Sequence, residues 1–152
     1  MSEWSVIQPV LPGQWEAYYR LRYDVLRAPW NQDPGSERAE DDSASLHGMI
    51  IDSNGKALAV GRIHRENDGQ GQIRFMAVHP DYQGKGLGKA ILRYIEHVGK
   101  KSFGPLSSIY LQAREEAVNF YLSNGYSLKD KTFVLFDDIQ HYLMVKDLAP
   151  EE

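Results

Sequence analysis

The sequence contains no cysteine among its 152 residues. Disulfide bonds, thiolate metal sites and cysteine nucleophiles are therefore excluded, and so is the disulfide scaffold on which many small secreted domains depend. A chain without thiols is compatible with a reducing compartment, and we expect a cytoplasmic protein.

The chain also lacks a strong excess of charge and a long hydrophobic run. Its 17 basic and 21 acidic residues give a formal charge of -4, so we expect neither nucleic acid nor an anionic membrane surface as a partner. Residues 1–10 show no basic segment followed by an apolar run, which predicts that no signal peptide is present. The longest apolar stretches are too short to span a bilayer.

What the chain has is the composition of an ordinary soluble protein. Hydrophobic residues make up 42% of the sequence and charged residues 25%, and a chain of this length has room for one hydrophobic core. No internal repeat or low-complexity segment is present. We therefore predict a single domain over residues 1–152.

The hydrophobic pattern predicts a mixed α+β fold, because segments with period-two alternation are interspersed with segments that have three- and four-residue spacing. We expect strands at residues 5–9, 46–52, 56–64, 72–78, 107–112, 126–136 and 141–145, turns at 53–55 and 67–71, and helices at 14–27, 87–99 and 115–123. The expected architecture is a central, mostly antiparallel sheet flanked by helices in three layers.

Residues 28–45 have little hydrophobic periodicity and carry two prolines, one glycine and five acidic side chains: Asp33, Glu37, Glu40, Asp41 and Asp42. Long unstructured connections are uncommon in compact domains and are often functional. The segment is therefore a candidate lid whose acids attract a cationic acceptor such as a polyamine or a peptide N-terminus. A solvated acidic loop explains the same pattern.

A glycine-rich segment, residues 83–89, follows the third strand of the expected meander and opens a helix. Free amides and the helix dipole make this position an anion site, and the glycines at 84, 86 and 88 let the backbone approach a phosphate. A helix-capping turn is the alternative. A P-loop is disfavoured because Ala90 follows Lys89, and a dinucleotide fingerprint is disfavoured because Lys89 stands where its third glycine would be.

The motif Gln83-x-x-Gly86-x-Gly88, preceded by Met76-Ala77-Val78-His79-Pro80, resembles the acyl-CoA motif of the GNAT superfamily of N-acetyltransferases. A second stretch, from Ala113-Arg114 through Asn119-Phe120-Tyr121 to Gly125-Tyr126, resembles the downstream segment of that family. The two matches occur in the family's order and the likeness covers about residues 46–148. The pattern around residues 20–25, 37–42 and His47 resembles the ElaA-like branch more loosely.

The resemblance implies acetyl-CoA as co-substrate, without a metal ion. The residues that match the family's cofactor site are Met76, Ala77 and Val78 for the pantetheine arm, and Gln83, Gly84, Lys85, Gly86, Leu87, Gly88 and Lys89 for the pyrophosphate. Many relatives have an asparagine near the start of the downstream helix, where this chain has Arg114. That arginine either contacts a phosphate or is solvated.

Tyr121 matches the family's general acid, which protonates the departing CoA thiolate. From periodicity alone, a tyrosine of the hydrophobic core explains the same position. Candidates for the base that deprotonates the acceptor are Glu37, His47, His64 and His141. Among these, His141 stands in a strand that resembles the closing strand of ElaA-like members, although a single strand histidine is more often structural.

The expected function is acetyl transfer from acetyl-CoA to an amine of a small molecule or peptide by direct attack. A non-catalytic acyl-CoA sensor and a protein-interaction module are the alternatives. A sensor would keep the loop at residues 83–89 without depending on Tyr121, and an interaction module would bind no CoA. The family resemblance also suggests a homodimer.

Overall fold

The computed structural model describes residues 3–66 and 69–148, which form seven strands and three α-helices. Asn67 and Asp68, in one of the expected turns, lie outside the described residues. The strands are β1 (Trp4–Ile7), β2 (Leu46–Asp52), β3 (Ala57–Arg65), β4 (Gln70–Val78), β5 (Ser108–Arg114), β6 (Ser127–Leu135) and β7 (Ile139–Asp147), and the helices are α1 (Pro12–Leu26), α2 (Leu87–Ser102) and α3 (Val118–Leu122). Short 3-10 helices lie at Ala28–Trp30, Glu40–Ala44, Pro80–Tyr82 and Glu115–Ala117.

The strands form one sheet in the order β1-β2-β3-β4-β5-β7-β6. Every neighbouring pair is antiparallel except β4 and β5, which are parallel. One face of the sheet packs against α2 and the other against α1, and each face has its own hydrophobic cluster. The expected α+β class and the three-layer arrangement are confirmed.

Strand β4 does not keep its side chains on one alternating pattern. Its pairing with β3 shifts register between Val60 and Arg62, and Phe75 has a φ of 59°, in the left-handed region. As a result Ile73 packs in the cluster around α2, while Phe75 and Ala77 pack in the cluster around α1. The regular alternation expected over residues 72–78 is therefore wrong at Phe75, because a β-bulge moves the following residues to the opposite face.

The two parallel strands pair only at their beginnings. Residues Gln70 to Ile73 of β4 pair with Ser108 to Leu111 of β5, although β4 continues to Val78 and β5 to Arg114. The second half of β4 therefore has no strand partner on this side, and the two middle strands splay apart there. Backbone amides and carbonyls along this edge remain available to a ligand.

Both later helices differ from the sequence prediction. Helix α2 continues three residues beyond Gly99, which is buried inside it, and a Cβ at that glycine would lie 2.6 Å from Ile63 Cδ1. Gly99 thus marks a close approach of α2 to the sheet and not a helix end. The helix expected at residues 115–123 is a 3-10 turn followed by the five-residue α3.

Within residues 3–66 and 69–148, no helix is both long enough and apolar enough to cross a membrane.

Candidate active site

The glycine-rich loop has the geometry of an anion site. Gly84 and Gly86 have φ angles of 74° and 83°, which residues other than glycine adopt only at a cost in conformational energy. Gly86 is the N-cap of α2, and no side chain caps this helix. The first helical hydrogen bond runs from the Ala90 amide to the Gly86 carbonyl at 3.1 Å, so the amides of residues 87–89 precede the helical ladder.

Other members of the loop pack around this turn. Gln83 donates from its side-chain amide to the Val78 carbonyl at 3.0 Å, which ties the loop to the end of β4. A Cβ at Gly88 would lie 3.3 Å from the Phe120 ring, so this glycine lets α2 and α3 approach closely. Lys85 extends toward Tyr82, with Nζ 5.6 Å from the ring centroid.

A cavity of about 550 Å³, the loop cavity, lies between the glycine loop, the unpaired half of β4 and α3. Every predicted cofactor-binding residue except Lys85 lines it: Met76, Ala77, Val78, Gln83, Gly84, Gly86, Leu87, Gly88, Lys89 and Arg114. The structure thus brings Arg114 next to the strand and loop residues 76–89, from which it is distant along the chain. Its size is in the range of small-molecule and cofactor sites.

A second cavity of about 340 Å³, the arginine cavity, lies on the other side of the splay. It is lined by residues from the end of α1, from β4 to β7 and from α3: Leu26, Arg27, Gln72, Ile73, Arg74, Phe75, Met76, Leu111, Gln112, Ala113, Arg114, Ala117, Tyr121, Phe133, Leu135 and His141. Five residues line both cavities, namely Leu26, Met76, Arg114, Ala117 and Tyr121. The two cavities therefore meet at Tyr121.

Tyr121 is 7% exposed and lies on α3 at this junction. Burial raises the pKa of its phenol above the usual value, so the hydroxyl stays protonated at neutral pH. Its ring packs edge-on against Phe120 and Tyr126, with centroid distances of 5.0 and 5.6 Å. Tyr121 is therefore a core residue that also lines both cavities, and its role as general acid stays a prediction.

His141 lies on β7 and lines the arginine cavity. Its Nδ1–H donates to the Ile139 carbonyl at 3.0 Å, which assigns the proton to Nδ1 and leaves the Nε2 lone pair as an acceptor. The Phe133 ring stacks on the imidazole at 4.5 Å. Burial lowers the pKa of His141, so the ring is neutral at pH 7.

His47 has no free nitrogen. Its Nε2–H donates to the Asp42 carbonyl at 2.7 Å, and its Nδ1 accepts from the Tyr18 hydroxyl at 2.7 Å. Burial lowers the pKa of this histidine as well. His47 therefore joins α1 to the segment before β2, and both of its nitrogens are used in doing so.

The remaining base candidates also lie away from Tyr121. Glu37 accepts the Gly35 amide at 2.8 Å and lines a different cavity on the outer side of α1. His64 lies on β3, with its nitrogens 3.4 Å from Glu66 and 4.0 Å from Asp41. Of the four candidates, His141 is the one that lines a cavity with Tyr121.

The acids at residues 41–42 serve buried arginines. Asp42 pairs with Arg22 and Arg62, both fully buried, and Asp41 pairs with Arg62. Burial alone would raise the pKa of Asp42, but the Ala39 amide and the two guanidinium groups lower it to about 2. No part of the segment 28–45 lines the loop cavity or the arginine cavity, so the structure gives no support to an acceptor lid here.

Arg114 is held at the junction of the two cavities. Its Nη2 donates to the Leu26 carbonyl at 3.3 Å, and its guanidinium lies 4.6 Å from the Trp30 ring centroid. It is half-buried and lines both cavities. Its contact with a phosphate stays a prediction.

Three residues of the arginine cavity were not predicted from the sequence: Arg27, Arg74 and Phe75. They come from two separate elements and carry no motif, so no local signal could have placed them together. Phe75 is the centre of the group, since the guanidiniums of Arg22, Arg27, Arg62 and Arg74 lie 4.0, 5.6, 5.2 and 4.6 Å from its ring centroid. Across the described ranges 3–66 and 69–148, no group of three or more metal-ligating side chains is arranged to hold an ion.

Comparison with known proteins agrees with this geometry. The model of the acetyltransferase (GNAT) family matches residues 15–126, which is more than half of the chain. The uncharacterized N-acetyltransferase YjcF of Bacillus subtilis (strain 168) is 29% identical over 132 residues, covering 87% of this chain and 91% of YjcF.

Two solved structures illustrate the similarity of fold. Escherichia coli ElaA superposes with a TM-score of 0.80 at 22% identity, covering 97% of this chain and 100% of ElaA. An aminoglycoside 6'-N-acetyltransferase complexed with coenzyme A superposes with a TM-score of 0.76 at 14% identity, covering 98% of each chain.

At such identities, structural likeness shows the fold alone, so the narrower ElaA-like assignment stays a prediction. The family assignment rests on the sequence match, which extends from α1 through the glycine loop to the residue before β6. The chain therefore belongs to the acetyltransferase (GNAT) family, and its enzymatic class is that of the acetyl-CoA-dependent N-acetyltransferases.

Proposed function

We propose that the protein transfers the acetyl group of acetyl-CoA directly to an amine of a small molecule or peptide, with Tyr121 as general acid and His141 as general base. The observation that carries this proposal is the meeting of the loop cavity and the arginine cavity at Tyr121. A donor bound in one cavity and an acceptor bound in the other would be brought together at that residue.

The loop cavity fits the donor in two respects. The amides of residues 87–89 and the positive end of α2 would bind the pyrophosphate. The edge of β4 at Met76–Val78 has no β5 partner and would hydrogen-bond the pantetheine arm like an added strand. A coenzyme A complex of a protein with the same fold supports this assignment.

Acetyl-CoA supplies a thioester whose carbonyl carbon is open to attack by an amine. His141 Nε2 would take a proton from the acceptor's ammonium group, and the neutral nitrogen would then bond to that carbon. A backbone amide of Met76–Val78 would stabilise the oxyanion. As the carbon–sulfur bond breaks, Tyr121 would protonate the thiolate. The nitrogen of the new amide would lose its second proton through water to the Tyr121 phenolate, and His141 would release the first proton to solvent. No covalent intermediate with the enzyme is needed.

The binding test is a calorimetric titration with acetyl-CoA and with CoA. We expect the wild type to bind both and Gly86→Glu to bind neither, because a carboxylate at the loop repels phosphate. Gly104→Glu is the matched control, since Gly104 has a φ of 76°, has open space around it like Gly86, and lies beyond the other end of α2. Equal binding by Gly86→Glu and wild type, or no binding by wild type, would refute the cofactor site.

A further inference from the structure

The walls of the arginine cavity carry charge of one sign. Arg27 follows α1, Arg74 lies on β4 and Arg114 ends β5, and all three line the cavity. No Asp or Glu of the described residues lines it. Three cations from three parts of the chain therefore surround a space of about 340 Å³ without a carboxylate among them.

The hydrogen bonds that Arg27 and Arg114 make go to backbone carbonyls and not to carboxylates of the described residues. Arg27 donates from Nε to the Ser36 carbonyl at 3.0 Å and from Nη1 to the Leu26 carbonyl at 2.9 Å, which leaves Nη2. Arg114 donates from Nη2 to the same Leu26 carbonyl. Arg74 makes no hydrogen bond to the described residues. None of the three has a carboxylate of those residues within 4.0 Å.

The mutual repulsion of these cations is visible in Arg27. Burial lowers the pKa of its guanidinium, the positive charges of Arg114, Arg74 and Arg22 lower it further, and the Glu37 carboxylate opposes this shift. An anion bound near these guanidinium groups would counter this repulsion.

The fully buried arginines of this fold have a different environment. Arg22 and Arg62 are fully buried, and each pairs with Asp42 at 2.9 Å. Structural arginines in this protein thus have carboxylate partners, as burial of a charge requires. Arg27 is half-buried and Arg74 is exposed, and both line a cavity, where a ligand can supply the negative charge.

We propose that the acceptor is a small amine that also carries an anionic group, a carboxylate or a phosphate, and that Arg27 and Arg74 bind this group while the amine lies between His141 and Tyr121. This inference rests on the proposed acetyl transfer. Arg114 adds positive charge at the junction of the cavities. A cationic acceptor such as a polyamine would be repelled by the same three side chains.

The test compares acceptors of similar length that differ in charge: γ-aminobutyrate, butylamine and putrescine, with aminopropyl phosphate to distinguish a carboxylate from a phosphate site. Release of CoA thiol gives kcat/KM for each, and calorimetric titration of the same compounds into CoA-saturated protein gives binding. Arg74→Gln removes a charge that makes no hydrogen bond within the described residues. Arg93→Gln is the control, because Arg93 is exposed on α2 outside both cavities.

We expect an anionic acceptor to exceed butylamine by about 10-fold or more in kcat/KM or affinity, since a hydrogen bond to a charged group is worth that much. Arg74→Gln should remove most of this preference, and Arg93→Gln should retain it. The inference would be overturned if butylamine or putrescine were used as well as the anionic acceptors or better, or if Arg74→Gln kept the preference. Neither outcome would contradict the proposed acetyl transfer. If none of the compounds is acetylated, the calorimetric titration decides. The inference is overturned if the anionic compounds do not bind, or if they bind Arg74→Gln as well as the wild type. Failure to bind acetyl-CoA would instead refute the proposed function.

Discussion

Tyr121 and His141 line the same cavity, and burial shifts their proton affinities in opposite directions. The pKa of the phenol is raised and that of the imidazole is lowered, in each case because burial disfavours the charged form. At neutral pH the tyrosine therefore keeps its proton and the histidine is without its second one. These protonation states are the ones that the proposed roles of Tyr121 as acid and His141 as base require.

Replacing Tyr121 by phenylalanine should lower kcat by about 100-fold or more, because general acid catalysis contributes about that much. The ring and its packing remain, so the dissociation constant for CoA should stay near the wild-type value. Steady-state thiol release and calorimetry measure the two quantities. Tyr94→Phe, a half-buried tyrosine of α2 outside both cavities, is the control. An active Tyr121→Phe enzyme would assign the proton donor to another group.

His141→Gln should lower kcat/KM by about 100-fold above neutral pH and remove the acidic limb of the pH profile. In the wild type, protonation of His141 removes the base, so activity should decrease as the pH is lowered. Because burial lowers the pKa of His141 from the ordinary histidine value of 6.5, the midpoint of that limb should lie below 6.5. The ammonium of butylamine titrates near pH 10, far from this limb. A limb that persists in His141→Gln would contradict the assignment.

His47 should make folding stability depend on pH. Its lowered pKa means that the folded state favours the neutral ring, so its contribution is complete above the unfolded pKa of about 6.5 and declines as pH falls. Urea unfolding at about pH 5.5 should give a free energy about 1 kcal/mol lower than at about pH 7.5. His47→Gln should be less stable at both and have a smaller difference. An unchanged difference would show that another group, such as His141, carries it.

At the level of elements, the contact of β3 with β4 and α2 depends on Gly61. A Cβ there would lie 2.5 Å from both Ile95 Cδ1 and Met76 Sδ. Gly61→Ala should therefore lower the free energy of unfolding by about 1–3 kcal/mol through overpacking. It should also weaken acetyl-CoA binding, because Met76 lines both cavities.

Urea unfolding and calorimetry measure these two effects. Gly13→Ala in the first turn of α1 is the control, since a Cβ at Gly13 meets nothing within 4 Å. A Gly61→Ala protein with wild-type stability would show that the Ile95 and Met76 side chains move aside without loss.

The elements that could be predicted are those whose signal is local. The bounds of β2 and the buried face of α2 follow from the alternation and spacing of their side chains, and the Asn54-Gly55 turn from its residue types. The bulge at Phe75 could not be predicted, because phenylalanine gives no local signal for a left-handed φ. Gly99 was misinterpreted because a close helix–sheet contact and a helix end favour the same residue.

The same distinction divides the candidate site. The glycine loop could be found because one continuous segment carries its glycines, amides and helix start. The arginine cavity could not, because Arg27, Arg74 and Arg114 are far apart along the chain and their grouping follows from the order β4-β5-β7 in the sheet. Likewise, only the fold shows which histidine of several has a free nitrogen near Tyr121.

On the scale of the whole molecule, the sheet consists of two antiparallel groups, β1–β4 and β5–β7, that pair through four residues of each middle strand. If acetyl-CoA hydrogen-bonds the edge of β4, amide exchange at Met76–Val78 should slow on binding. Exchange in β6, the far edge strand, should not change. Hydrogen exchange with and without acetyl-CoA measures both, and unchanged exchange at Met76–Val78 would contradict strand-like binding. The homodimer suggested by the family stays a prediction.

The short parallel pairing between β4 and β5 has a mechanical consequence. A sheet is stiffest where its inter-strand hydrogen bonds are continuous, and here they stop in the middle of the molecule. Without ligand, the two groups of strands should therefore flex about this line more than within themselves. A donor molecule seated along β4 would stiffen the domain, and its departure after the reaction would restore the flexibility through which the next one enters.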